Sequence, residues 1–161
     1  MQIYLLRHGI AEDGIPGRPD SERALTSEGK DKLRRVLKRA RAAAVDPSVI
    51  LSSPYRRAVE TAEVAVDVFD YKGKVVLTRA LVPEASPAEA WDEIRSRKGE
   101  TAILLASHEP LMSSMTAFLL NSPGMFVDMK KAALVRVDCE TFGPEPRAVL
   151  KWMLTPSLAG D

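Results

Sequence analysis

The nine residues Met1-Gln2-Ile3-Tyr4-Leu5-Leu6-Arg7-His8-Gly9 decide how the rest of the chain is read. Ile3 to Leu6 form a short apolar run with strand-forming character and no turn residue, the pattern of a buried strand. The run stops at a cation, an imidazole and a glycine, the residue that permits φ > 0 or a close approach of backbone to a ligand. In an open α/β sheet, ligands sit beyond the carboxyl ends of strands. A strand ending in Arg7-His8-Gly9 is therefore a candidate anion site that carries a nucleophile or a base. The plainer alternative is a surface Arg–His pair in a βα loop.

Beyond Gly9, residues 10–25 are rich in turn formers and read as loop. A helix opens at Thr26 or Ser27, with Leu33, Val36, Leu37, Ala40 and Ala44 on its apolar stripe. Val49-Ile50-Leu51 is a second short strand, and Pro54 suits the first turn of the helix carrying Ala58, Ala62, Ala65, Val66 and Phe69. Val75 to Leu77 reads as a third strand. A helix with Ala90, Trp91 and Ile94 starts at Ser86-Pro87. Ala102 to Ala106 is the clearest buried strand. It runs into Ser107-His108-Glu109-Pro110 and a helix with Leu111, Met112, Met115, Phe118 and Leu119. Two late strands, 132–138 and 148–154, meet across Gly143-Pro144 and should pair antiparallel. This alternation predicts an α/β three-layer sandwich: a mostly parallel central sheet, helices on both faces and antiparallel strands at one edge near the C-terminus.

Length and charge narrow the classes. A chain of 161 residues suits one domain, 1–161, with a sizeable core. With 23 basic and 22 acidic residues the formal charge is +1, so no global surface for nucleic acid is expected. Seven basic residues lie between Lys30 and Arg41. Without interleaved aromatics they read as a solvated helix face, with docking of an acidic partner as the alternative. The single cysteine, Cys139, excludes an internal disulfide and fits a reducing compartment. No signal-peptide pattern and no bilayer-length apolar run is present, so a cytoplasmic protein without a membrane partner is expected.

The chemistry collects at strand ends. The two histidines, His8 and His108, each follow a buried strand, and Arg56 and Arg57 follow Ser52-Ser53-Pro54. Two imidazoles, guanidiniums and helix N-termini at one sheet edge would receive a phosphoryl dianion. Their spacing matches no zinc site, and there is no Gly-rich Lys-Ser/Thr loop, so neither metal nor cofactor is implied.

In this order, Arg7-His8-Gly9, Ser53-Pro54-Tyr55-Arg56-Arg57-Ala58-Val59-Glu60-Thr61-Ala62 and Ser107-His108-Glu109-Pro110 resemble the histidine phosphatase (phosphoglycerate mutase-like) superfamily. Asp20-Ser21-Glu22-Arg23-Ala24-Leu25-Thr26 and Leu81-Val82-Pro83-Glu84 resemble its short SixA-type phosphohistidine phosphatases, which lack a lid insertion. The resemblance implies a phosphatase acting through covalent phosphohistidine on His8, with Arg7 and Arg57 as phosphate clamps and His108 as the second pocket histidine. Glu84 stands where a general acid is expected, and Arg23 where an arginine can reach the pocket. Arg56 is assigned a solvent-exposed role, and Glu60 departs from a common glutamine. The implied substrate is phosphohistidine on a protein such as a phosphotransfer domain, with inorganic phosphate as product and a monomer as the default. Small phosphate monoesters, or a non-catalytic phosphate-binding module, are the alternatives.

Overall fold

The computed structural model describes residues 1–160. Its elements run β1 (Gln2–Arg7), α1 (Ser27–Ala42), β2 (Val49–Ser52), α2 (Arg56–Phe69), β3 (Val76–Leu77), α3 (Pro87–Arg95), β4 (Ala102–Ser107), α4 (Leu111–Leu119), β5 (Leu134–Cys139), β6 (Ala148–Leu154) and α5 (Pro156–Ala159). The strands form one sheet in the order β3-β2-β4-β1-β5-β6. β3, β2, β4 and β1 are mutually parallel, whereas β5 is antiparallel to β1 and β6 to β5. This is the mostly parallel sheet with an antiparallel edge that the pattern predicts.

Alternation along each strand makes the layers, because successive side chains point to opposite faces. Ile3, Leu5, Leu51, Ile103, Leu105 and Val135 pack on one face with Trp91 and Ile94 of α3 and Met112 and Met115 of α4. Tyr4, Leu6, Ile50, Leu104 and Leu134 pack on the other with Leu33, Val36 and Leu37 of α1 and Ala62, Ala65 and Phe69 of α2. Strands covered on both faces read as continuous apolar runs, which is why 3–6 and 102–106 are so legible.

Side-chain caps start α1 and α3. Thr26 Oγ1 accepts from Gly29 N at 3.0 Å and so is the N-cap of α1, while Ser27 is its first residue. Ser86 and Glu89 exchange bonds in a capping box at α3. Several boundaries differ from expectation, and β3 holds Val76 and Leu77 without Val75. α1 ends at Ala42, and Ala44 is an exposed residue with φ 62° beyond it, so Val45 is the buried residue there instead. α2 begins at Arg56 with Tyr55 as N-cap, which leaves Pro54 outside its first turn. β5 starts at Leu134, so the connection from α4 spans residues 120–133.

Gly9 and Gly29 fix how β1 leads into the helical layer. A Cβ on Gly9 would lie 2.7 Å from Leu33 Cδ1, and one on Gly29 would lie 2.2 Å from the Ile10 carbonyl oxygen. Gly9 does not take up the positive φ allowed for it, and its close approach is to α1. Among the described residues no helix is long and apolar enough to cross a membrane.

Candidate active site

Strand register brings the motifs together. Arg7 pairs with Ser107 across β1 and β4, and His8 N donates to Ser107 O at 2.9 Å. Ser52 pairs with Ala106, and Ser53 N donates to Ala106 O at 3.0 Å. Three adjacent parallel strands thus end level, and His8, His108 and Ser53 leave the same sheet edge. The two imidazole centroids lie 5.2 Å apart.

His8 is 7 % exposed. Its Nδ1 lies 2.7 Å from the Gly9 carbonyl, which can only accept, so Nδ1 carries the proton and Nε2 holds the lone pair. Arg57 Nε donates to that Nε2 at 3.3 Å. The remaining nitrogens of Arg57 bond Asp20 O at 2.9 Å and Asp20 Oδ2 at 3.0 Å. Asp20 Oδ1 in turn accepts from Arg23 Nε at 2.8 Å, and Arg23 Nη1 reaches Glu12 O at 3.0 Å. Arg23 is therefore joined to the cluster through Asp20. Thr61 Oγ1 donates to Arg57 O and accepts from Gly9 N, which pins the first turns of α2 against the end of β1.

His108 is 1 % exposed. Its Nε2 lies 2.8 Å from Ser53 Oγ, which also accepts from Tyr55 N at 3.2 Å. His108 Nδ1 is buried without a partner. Arg7 Nη1 donates to Met129 O at 2.7 Å, while its Nε is likewise buried and unpartnered. Buried orphan donors are costly unless a ligand completes them. The unpartnered Arg7 Nε–H, one residue from His8, suits an oxyanion.

Burial is the main cause that pulls His8 down to about 4, with Arg57, Arg7 and Lys131 adding and the Gly9 hydrogen bond opposing. Burial also leads for His108, brought to about 3, followed by His8 and Arg57. The cations expected to keep His8 neutral act, but desolvation does more. Burial lowers Arg7 as well, against the pull of Glu109 and Asp128. At Asp20, partial desolvation pushes upward, but hydrogen bonds from Arg57 and Arg23 outweigh it and hold the carboxyl below its usual range.

Arg7, His8, Arg57 and His108 are brought together, and Glu84 follows Leu81, whose carbonyl accepts from Ser107 Oγ beside His108. Glu84 is exposed beside the turn closed by Ala85 N on Val82 O, with no hydrogen bond or ion pair to the cluster. Arg56 is exposed and faces Glu60 at 3.8 Å. Glu60 ties the 10–25 loop to α2, because its Oε2 accepts from Leu25 N at 2.7 Å. At the start of α4, Glu109 Oε1 takes the Ser113 N–H, so that helix end is partly occupied by the chain's own carboxylate. Asp20, Ser53 and the Met129 carbonyl join the cluster without having been expected there. Asp20 carries one signal in the sequence, an acid three residues before Arg23 in a turn-rich stretch.

Residues 3–81, which carry Arg7, His8, Asp20, Arg23 and Arg57, match the model of the histidine phosphatase superfamily, branch 1. Phosphohistidine phosphatase SixA of Escherichia coli K12 is 26 % identical over 160 residues, covering 97 % of this chain and 94 % of its own. A solved protein histidine phosphatase SixA complexed with tungstate superposes with a TM-score of 0.85 at 25 % identity, covering 98 % of each chain. The chain belongs to the histidine phosphatase superfamily. It is a SixA-type phosphatase by sequence and by structure. Its fold is shared more widely: a phosphoserine phosphatase from Entamoeba histolytica matches with a TM-score of 0.69 at 15 % identity over 98 % of both chains. Among the described residues of this phosphatase, no group of three or more His, Cys, Asp or Glu is gathered for a metal ion.

Proposed function

We propose that this phosphatase removes phosphate from phosphohistidine on a protein, without a metal, through a covalent phosphohistidine on its own His8. The observation that carries the reading is the orientation of His8: Nδ1–H is held by Gly9 O, so the Nε2 lone pair faces Arg57. In the first step Nε2 attacks phosphorus, the bond from phosphorus to the substrate nitrogen breaks, and the substrate imidazole, carrying a proton on its other ring nitrogen, leaves neutral. In the second, water attacks the phosphorus, the bond to Nε2 breaks, and inorganic phosphate leaves with His8 neutral again. Covalent catalysis of this kind divides one difficult displacement into two.

Arg7, Arg57 and His108 are assigned to the equatorial oxygens, where electrostatic stabilisation supplies most of the rate in phosphoryl transfer. Arg23 is assigned an indirect part through Asp20. Glu84 is not needed by this reading, because a phosphoramidate nitrogen leaves without a dedicated carboxylic acid. The whole chain acts as one phosphatase domain without a lid. Support for a protein substrate comes from the similarity to SixA and from an open trough of about 840 Å³ that shares Arg7 with the cluster.

Phosphate trapping tests the reading. The protein is mixed with a labelled phosphohistidine protein, quenched in alkali and mapped by mass spectrometry, with His8→Ala in parallel. Acid-labile phosphate on His8, absent from the variant together with turnover, is the expected result. Turnover of aryl phosphate alone would reassign the enzyme to small monoesters, and binding of phosphate without turnover would make it a docking module.

A further inference from the structure

The trough beside Arg7 is lined by cations from three separate parts of the chain. Lys32 and Arg35 come from α1, Lys130 and Lys131 from the 120–133 connection, and Arg7 from the end of β1. Arg7 belongs both to the trough wall and to the cluster around His8, and it is the residue the two share. Lys131 is close enough to contribute to lowering the basicity of His8. A chain with a formal charge of only +1 therefore concentrates positive charge on one side of its site.

Carboxylates accompany these cations: Glu28 lies 2.8 Å from Lys32 Nζ, Asp128 lies 2.8 Å from Lys130 Nζ, and Glu109 acts with Asp128 on Arg7. Exposed pairs of this kind are weak, so a stronger external anion can redirect both lysines. The remaining basic residues of α1 do not extend the trough. Arg34, Lys38 and Arg41 line a different depression, together with Asp67. The basic helix is thus not one continuous docking strip, and only its Lys32–Arg35 edge joins the site.

The lining also discriminates between kinds of anion. It holds no aromatic side chain on which a base could stack, which disfavours nucleic acid. Lysines on flexible stems around an open trough suit carboxylates presented by a folded surface, and like charges arranged this way steer encounter.

We propose that this trough is a docking subsite for a carboxylate-rich surface flanking the phosphorylated histidine of a protein substrate. The proposal rests on the protein-phosphohistidine reading above. Its test is the double variant Lys32→Glu/Lys130→Glu, assayed on a phosphohistidine-bearing protein and on p-nitrophenyl phosphate over a range of salt. The expected result is a fall of at least tenfold in kcat/KM for the protein, carried by KM, with the wild-type salt dependence flattened. Hydrolysis of p-nitrophenyl phosphate should stay within twofold of wild type, which also reports that the variant is folded. If both substrates lose activity together, or if the protein substrate is processed as before, the docking subsite is overturned. A wild-type enzyme that splits p-nitrophenyl phosphate but no phosphohistidine protein overturns the substrate reading and the docking subsite together.

Discussion

Arg57 Nε donates to His8 Nε2 across 3.3 Å, so a permanent cation rests against the lone pair proposed to attack phosphorus. A protonated His8 could not accept that bond. The contact therefore belongs to the neutral imidazole, and the cation beside it disfavours the charged form.

This arrangement can be read directly, because the chain has only two histidines. An NMR titration of the ring carbons should give midpoints near 4 for His8 and near 3 for His108, assigned with a His108→Gln variant. An ordinary histidine titrates at about 6.5. Midpoints between 6 and 7 would remove the electrostatic basis of the site.

The same shifts predict how folding depends on pH. Both folded-state values are depressed, so the unfolded chain binds protons first as pH falls. Stability is fully present above about 6.5 and declines as pH drops toward 4, by up to ~1.4 kcal/mol per pH unit for each histidine. Urea unfolding of wild type and His8→Asn across that window measures it. The variant should show a shallower decline, and equal slopes would contradict the linkage.

Asp20 occupies the edge of Arg57 that a phosphoryl group would use. Replacing it with Asn removes a competing anion but keeps a side chain of similar shape. Inorganic phosphate should inhibit Asp20→Asn at concentrations roughly two- to fivefold lower than wild type, the worth of a partly exposed ion pair. Turnover should fall, because Arg57 and Arg23 lose their common anchor. Phosphate inhibition that is unchanged or weaker would show that the carboxylate does not compete.

Glu84→Gln separates the resemblance from the geometry. An exposed residue without a hydrogen bond or ion pair to the cluster should change hydrolysis of phosphoramidate by less than about threefold, whereas a true general acid is worth ~10²–10⁴. A hundredfold loss in kcat, with the basic limb of the pH profile removed, would restore Glu84 as the acid.

Gly29→Ala tests the joint between β1 and α1. The new Cβ would meet backbone, the Ile10 carbonyl oxygen at 2.2 Å, which cannot swing aside as a side chain can. A loss of roughly 1–3 kcal/mol is expected, the usual cost of overpacking. Gly99→Ala, where nothing lies within 4 Å, serves as the control and should be close to neutral. Equal stability of the two variants would place the tight contact elsewhere.

The parts legible in the sequence are those with local causes. The run Ala102 to Ala106 announces a strand because both faces are covered, and Ser86-Pro87 announces a helix start because its cap is local. His8, Arg7, Arg57 and His108 are legible because each follows a strand signal. The contact of Asp20 with Arg57 is not, since a loop residue meets a helix residue 37 positions away with no periodicity to mark it. Met129 is hidden for the same reason, its carbonyl reaching Arg7 from an irregular segment. Glu84 is placed by resemblance alone, and motif position does not decide exposure.

The level pairing of Arg7 with Ser107 also makes activity a reporter of folding. A slip of one residue between β1 and β4 would turn every side chain of the strand to the opposite face and carry His8 away from His108. The segments that must meet are a hundred positions apart, and such long-range pairings close late and slowly. Catalysis should therefore return only with the final closure of the sheet, and a collapsed but unregistered chain should be silent.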